Sequence, residues 1–239
     1  VDTLLRYLER FGHLLNHGWP FIFDILCEAV IDQPFATPGL IMASFSSVKQ
    51  ICGDLLQGLS DVSIRRVVAI LGEFFARSSN DLNMSLAAVG LLWDVADNVR
   101  LRSSRSSESD YSSRYDHISG NDERPQFSKS VDESISMGLS NLKIGLDDSI
   151  FELWVYVLYT LSGLVTDSRP EVRNSALQTT IRAVSICGED SESSILTCNR
   201  WQITFDRVIL PCICNIQKHA LEVSLFSTPD SPIQSSTQG

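Results

Sequence analysis

Four histidines, six cysteines and a run of alternating acids and arginines near residue 170 are the side chains of this chain with chemistry to offer. His13 and His17 stand four apart, so one helix face would present both imidazoles to a divalent metal. No third ligand accompanies them, His117 lies in a polar stretch and His219 stands alone, so no metal site is expected. Cys27, Cys52, Cys187, Cys198, Cys212 and Cys214 fall within or beside helical patterns and form no paired Cys-x-x-Cys spacing. They read as reduced, structural thiols of a cytosolic chain. Asp147-Asp148 and Glu189-Asp190 are carboxylate pairs at helix boundaries, where solvation and helix-start electrostatics account for them better than acid–base catalysis. There is no glycine-rich phosphate loop, nucleophile elbow, HExxH or EF-hand sequence. Catalytic residues and cofactors are therefore expected to be absent.

The informative run is Asp167-Ser-Arg-Pro-Glu-Val-Arg-Asn174. Ser168 can cap a helix from outside, Glu171 three residues on completes a capping box, and Pro170 fits a first turn that needs no donor. Asp167, Arg169, Glu171 and Arg173 suit an acid–arginine ladder that orients successive hairpins, with Arg173 pairing to Asp167 or to a neighbouring unit. A structural role is favoured over partner contact. Behind this start, Val172, Ala176, Thr179, Ala183 and Ile186 form one apolar stripe and Leu177, Ile181 and Val184 a second, with Gly188 as C-cap. Two stripes predict a helix buried on more than one side. Ile150 to Val165 forms the other arm of the hairpin; Glu152 interrupts it, and it is short for a membrane span.

The elements before and after follow the same plan. Residues 3–15 carry Leu4, Leu8, Phe11 and Leu15 on one stripe, and Trp19 anchors the start of the next helix. A long helix is expected from Leu40 to Leu59, then one capped by Asp61 and one capped by Asp81. In the last of these, Gly90 and Trp93 suggest a small-against-large packing point. Residues 101–148 are serine-rich with few apolar anchors and are expected to be a disordered insertion with no tertiary role. Within it, Arg102-Ser-Ser-Arg-Ser-Ser suits a basophilic kinase, and Ile135–Leu146 could dock as a short element. A helix from Trp201 to Lys218 should turn Phe205, Val208, Ile209 and Cys212 inward, with Pro211 kinking it or marking the start of a fresh turn.

The expected organisation is thus helical repeats over 1–100 and 149–225, the insertion between them, and a flexible tail over 226–239. Helix centres near Lys49, Ala69 and Val89 recur about every twenty residues, which gives a helix-pair period of roughly forty. The fold class is all-α, a HEAT/armadillo-like α-solenoid of antiparallel helical hairpins, with a compact bundle as the alternative. A net charge of −10 argues against a nucleic-acid footprint and against general attraction to anionic lipid. The chain opens without Met and is expected to be an excerpt of a longer one.

Leu164 to Thr180, with Ile181 and Arg182, resembles the Asp-x-Arg-Pro-Glu-Val-Arg-Asn-x-Ala-x-Gln-Thr signature of the monensin-sensitivity trafficking scaffolds, relatives of the large brefeldin-A-sensitive Arf exchange factors. Gly18–Phe23, Ser46–Cys52 and Asn83–Asp94 are similar to further blocks of the same region in the same order. The resemblance marks Trp19, Trp93, Asp167, Arg169, Pro170, Glu171, Arg173 and Asn174 as motif residues. It implies a peripheral scaffold on Golgi, trans-Golgi network and endosomal membranes, acting in endosome-to-Golgi retrieval with Dopey-family proteins, a flippase and Arf-family GTPases. The alternative it leaves is the regulatory helical region of an Arf guanine-nucleotide exchange factor whose catalytic domain lies elsewhere. Of the two branches, the first is favoured.

Overall fold

The computed structural model describes residues 2–15, 18–31, 37–77, 79–109, 149–189 and 195–226. Among them every regular element is helical. Helix α1 (Asp2–Phe11) ends in a tight turn, Gly12–Leu14. Helices α2 (Trp19–Ile31) and α3 (Pro38–Gln50) follow, the latter continuing through a wide π turn at Ile51–Leu55. Helix α4 (Asp61–Ala69) runs into a second π segment, Ile70–Arg77, and α5 covers Leu82–Ser109. Beyond it come α6 (Ser149–Leu164), α7 (Pro170–Glu189), α8 (Cys198–Thr204) and α9 (Leu210–Phe226), the last two joined by π residues Phe205–Ile209.

Local chemistry explains most starts. Thr37 caps α3 and Pro38 takes its first turn. Asp81 Oδ1 accepts from the amides of Asn83 at 2.9 Å and Met84 at 3.4 Å, the cap expected there. Helix α4 departs from expectation by one residue. Ser60 is extended and its hydroxyl accepts from Ser63 N, so Ser60 is the cap and Asp61 falls in the first turn. Pro211 gives the expected break a particular form. It has no amide to donate and its ring crowds the preceding turn, and the five residues before Leu210 open into π geometry.

Contacts run in chain order: α1 and α2 on α3, α4 on α2 and α6, α5 on the Ile70–Arg77 segment, α6 and α7, and α6 on α7 and on Phe205–Ile209. This is an all-α, solenoid-like stack. Its innermost member is α6, not α7. Phe151, Leu153 to Leu158, Leu161 and Leu164 are all buried, which takes in every side of the helix. Helix α7 buries one stripe, Val172, Ala176, Thr180, Ala183 and Cys187, while Ile181 on its second stripe is 57% exposed. At Gly72 the π segment approaches α6 so closely that a Cβ would collide with the Thr160 methyl group.

Several further expectations give way. Helix α1 stops before residue 15 because Gly12 begins a tighter turn, and this leaves Phe11 exposed beside Tyr7, ring centroids 5.3 Å apart. The Leu40–Leu59 helix is α-helical only to Gln50 and then changes its winding. Gly90 is exposed with no atom near where a Cβ would stand, so it is no packing point for Trp93. Gly188 lies inside the last turn of α7 rather than capping it. Phe205 is 41% exposed while Val208 and Cys212 are buried, because the π turn rotates the face presented inward. The boundary expected after residue 100 falls inside α5, which continues to Ser109. Residues 110–148, including Ile135–Leu146, and the tail 227–239 lie outside the described residues.

Candidate functional site

The Asp167 run starts α7, and its polar groups turn inward. Asp167 Oδ1 accepts from the amide of Arg169 at 2.9 Å and from its Nε at 2.9 Å, and Oδ2 accepts from Nη2 at 3.0 Å. The rest of the guanidinium crosses to the end of the previous hairpin. Nη1 donates to Ser79 O at 2.7 Å and Ser85 Oγ at 2.9 Å, and Nη2 donates to Ala76 O at 2.6 Å. The last carbonyls of a helix have no partner of their own. Arg169 therefore caps the Ile70–Arg77 segment from another element, and Asp167 fixes the angle of its fork. The Asp167 side chain is only 6% exposed. Burial pushes its carboxyl up, but the bonds and charge of Arg169, with help from Arg77, outweigh that and hold it below the ordinary value. The Arg169 guanidinium is in turn held above its own.

Arg173 bonds carbonyls rather than the carboxylate, with Nη1 donating to Asp167 O at 2.8 Å and Ser168 O at 2.9 Å. With Asp167 already bonding the Arg169 amide, the expected Ser168–Glu171 box gives way; Pro170 opens the helix, and Glu171 and Asn174 are exposed. Trp19 is buried, stacked on Phe23, with Nε1 donating to Leu15 O at 3.0 Å. Trp93 is only partly buried, and the guanidinium of Arg182 lies 4.1 Å from its ring centroid. Loss of hydration and the nearby Asp97 raise the carboxyl of Asp94, while Arg182 opposes them. The sequence-flagged residues therefore divide into the Asp167–Arg169–Arg173 start of α7, an aromatic anchor at Trp19 and a surface pair at Trp93.

A second clamp lies where no tertiary role was expected. Arg102 Nη1 donates to Leu59 O at 2.9 Å, and Nη2 donates to Leu56 O at 2.5 Å and Gln57 O at 3.1 Å. Its Nε donates to Asn98 Oδ1 at 3.0 Å, and Asp61 stands 3.6 Å from Nη1. Arg102 closes off the carbonyl end of the α3 run as Arg169 does that of the α4 run. The available signal was spacing: Leu92, Val95 and Val99 are buried, and residue 102 is next on that face.

The crevice between Trp93, Asp97, Arg100, Trp154 and Ile186 is too narrow for a water molecule. Among the described residues no three His, Cys, Asp or Glu side chains gather as metal ligands. His13 lies in the tight turn after α1, and His17 and His117 fall outside the described residues. None of the six cysteines is in a disulfide, and burial with the charge of Asp94 pushes Cys52 up to about 12. No described helix is long and apolar enough to cross a membrane.

Stacked helices tied end to end by arginine caps define the chain as a helical-repeat segment. The family model for the C-terminal region of Mon2 protein matches residues 53–224, and the chain belongs to that family. It is 27% identical to the MON2 homolog of Schizosaccharomyces pombe over 215 residues, covering 88% of this chain and 12% of that protein. The MON2 homologs of Drosophila melanogaster and Homo sapiens are 26% and 24% identical, covering 91% and 87% of this chain and 11% of each relative. The chain thus spans little more than a tenth of the length of these relatives. No solved structure matches it.

Proposed function

We propose that the chain is a non-catalytic α-solenoid segment of a peripheral Golgi and endosome scaffold, acting in vesicle-mediated protein transport and endosome-to-Golgi retrieval. The observation that carries this reading is the family match over residues 53–224. The geometry supports it: Asp167, a carboxylate only 6% exposed, and its partner Arg169 are committed to holding helices together. In this reading the rigid stack displays its exposed faces to protein partners, a Dopey-family protein and Arf-family GTPases, and the full-length protein supplies the membrane association. The match to the Mon2 family, rather than to an exchange factor, favours this over a regulatory region of an Arf exchange factor. The test is deletion of this region from the full-length protein, with imaging at Golgi and endosomal membranes and recovery of the Dopey-family protein measured together. Unchanged localisation, cargo retrieval and Dopey recovery would remove the proposal.

A further inference from the structure

In the middle of the stack few large apolar side chains meet solvent: α4 exposes Val62, α5 exposes Leu101 and α6 exposes none. The opening elements differ. Helix α1, the turn after it and α2 expose Tyr7, Phe11, Leu14, Phe21 and Ile25. On α1, Tyr7 and Phe11 stand four apart with ring centroids 5.3 Å apart, while Leu8 beside them is buried. On α2, Phe21 and Ile25 are likewise four apart, while Ile22, Phe23 and Leu26 are buried. Both helices pack on α3, which accounts for the sides already covered. A helix that is apolar on opposite sides is suited to burial on both. A stack that ended at α1 would instead carry a polar outer face, as the terminal repeat of a soluble solenoid must.

The matched family region is the C-terminal one, and the chain covers only 11–12% of the relatives cited. Because contacts here follow chain order, the unit that continues the stack beyond α1 is the one that precedes it in sequence. We propose that the exposed faces of α1 and α2 are an internal junction, covered in the full-length protein by the preceding helical hairpin of the same chain. The stripe that covers them is apolar, since among Tyr7, Phe11, Phe21 and Ile25 only the Tyr7 hydroxyl can form a hydrogen bond.

Hydroxyl-radical footprinting read by mass spectrometry tests this without altering the protein, because exposed aromatic rings are oxidised quickly and covered ones slowly. Tyr7, Phe11 and Phe21 should react several-fold more slowly in the full-length protein than in the 1–239 chain, while Trp93, in the middle of the stack, reacts alike in both. Equal rates at the three rings would overturn the proposal. So would protection that arises in the 1–239 chain alone as its concentration rises, together with a dimer in sedimentation, because the occupant would then be a second copy. Phe11→Lys identifies the occupant. It should leave the 1–239 chain as resistant to denaturant as the parent, since that ring is exposed there. In the full-length protein it should restore fast oxidation at Tyr7 and Phe21 and newly expose apolar residues within the roughly forty positions before Val1, one helical-pair repeat. New exposure in a remote segment, or none, would overturn the junction, as would an equal loss of stability in both proteins.

Discussion

Arg169 and Arg102 do the same job with different support. Each reaches the carbonyls ending an earlier helical run, Ala76 and Ser79 in one case and Leu56, Gln57 and Leu59 in the other. Arg169 carries its own buried acid, Asp167, bonded through both oxygens and the backbone, and its charge is reinforced. For Arg102, burial lowers the guanidinium and the more distant, more exposed Asp61 only partly offsets this. A charge buried with a fixed partner is a tight joint, and one buried mainly against carbonyls is a looser one. Placed at successive helix ends, the two give the stack one firm junction and one yielding junction.

The most direct way to break the contrast is to remove each guanidinium. Arg169→Ala leaves a 6% exposed carboxylate and several carbonyls without their donor. It should cost about 3 kcal/mol in chemical denaturation, the low end for a broken buried pair. Arg169→Lys should recover less than half of that, because an ammonium keeps the charge but not the fork. Equal stability of the Lys variant and the parent would mean that charge alone holds the joint.

Acid should undo only the carboxylate half of the firm joint. The folded Asp167 carboxyl is lowered, so its contribution is complete above the unfolded value of about 3.9 and is lost as pH falls through the folded one. Denaturation curves below pH 4 should therefore steepen in the parent and flatten in Asp167→Asn. An unaltered acid limb in that variant would assign the lability to other carboxyls.

Arg102→Ala should cost about 1–2 kcal/mol, since its acid is 31% exposed and its loss leaves no buried carboxylate unpaired. A loss matching that of Arg169→Ala would erase the difference between the joints.

The two clamps also differ in how far the sequence revealed them. Asp167 and Arg169 stand two apart at a helix start, so the acid–arginine pairing is visible in one short string. Their acceptors in the preceding hairpin are backbone carbonyls, which have no sequence signature, so the target was not visible. Arg102 was hidden for another reason. A serine-rich window averages over residues that still belong to the period of Leu92, Val95 and Val99, and composition outweighed spacing. Periodicity placed the helices, and residue chemistry the cap at Asp81 and the start at Pro170 though not the Ser168–Glu171 box, but periodicity reports which face is apolar, not what covers it. That is why Ile181 was expected inside and lies exposed, and why α6 rather than α7 occupies the centre.

Arg182 supplies the lower bound of the comparison, a guanidinium outside the stack that rests on a half-buried ring. Its stacking on Trp93 at 4.1 Å is an exposed cation–π contact, and Arg182→Ala should cost only about 0.5–1 kcal/mol. The same change has a signature that the clamps lack. Arg182 holds down a neighbouring carboxyl that burial and Asp97 push up, so its removal should move Asp94 further above the ordinary value. A group raised in the folded state binds its proton before the unfolded chain does, so the folded form gains stability as pH falls through that value. The variant should accordingly be weakest relative to the parent at neutral pH and recover part of the difference on acidification. Carboxyl NMR titration of Asp94 beside denaturation at pH 7 and pH 5 checks both halves. A downward movement of Asp94 would show that its neighbours, not Arg182, set its charge.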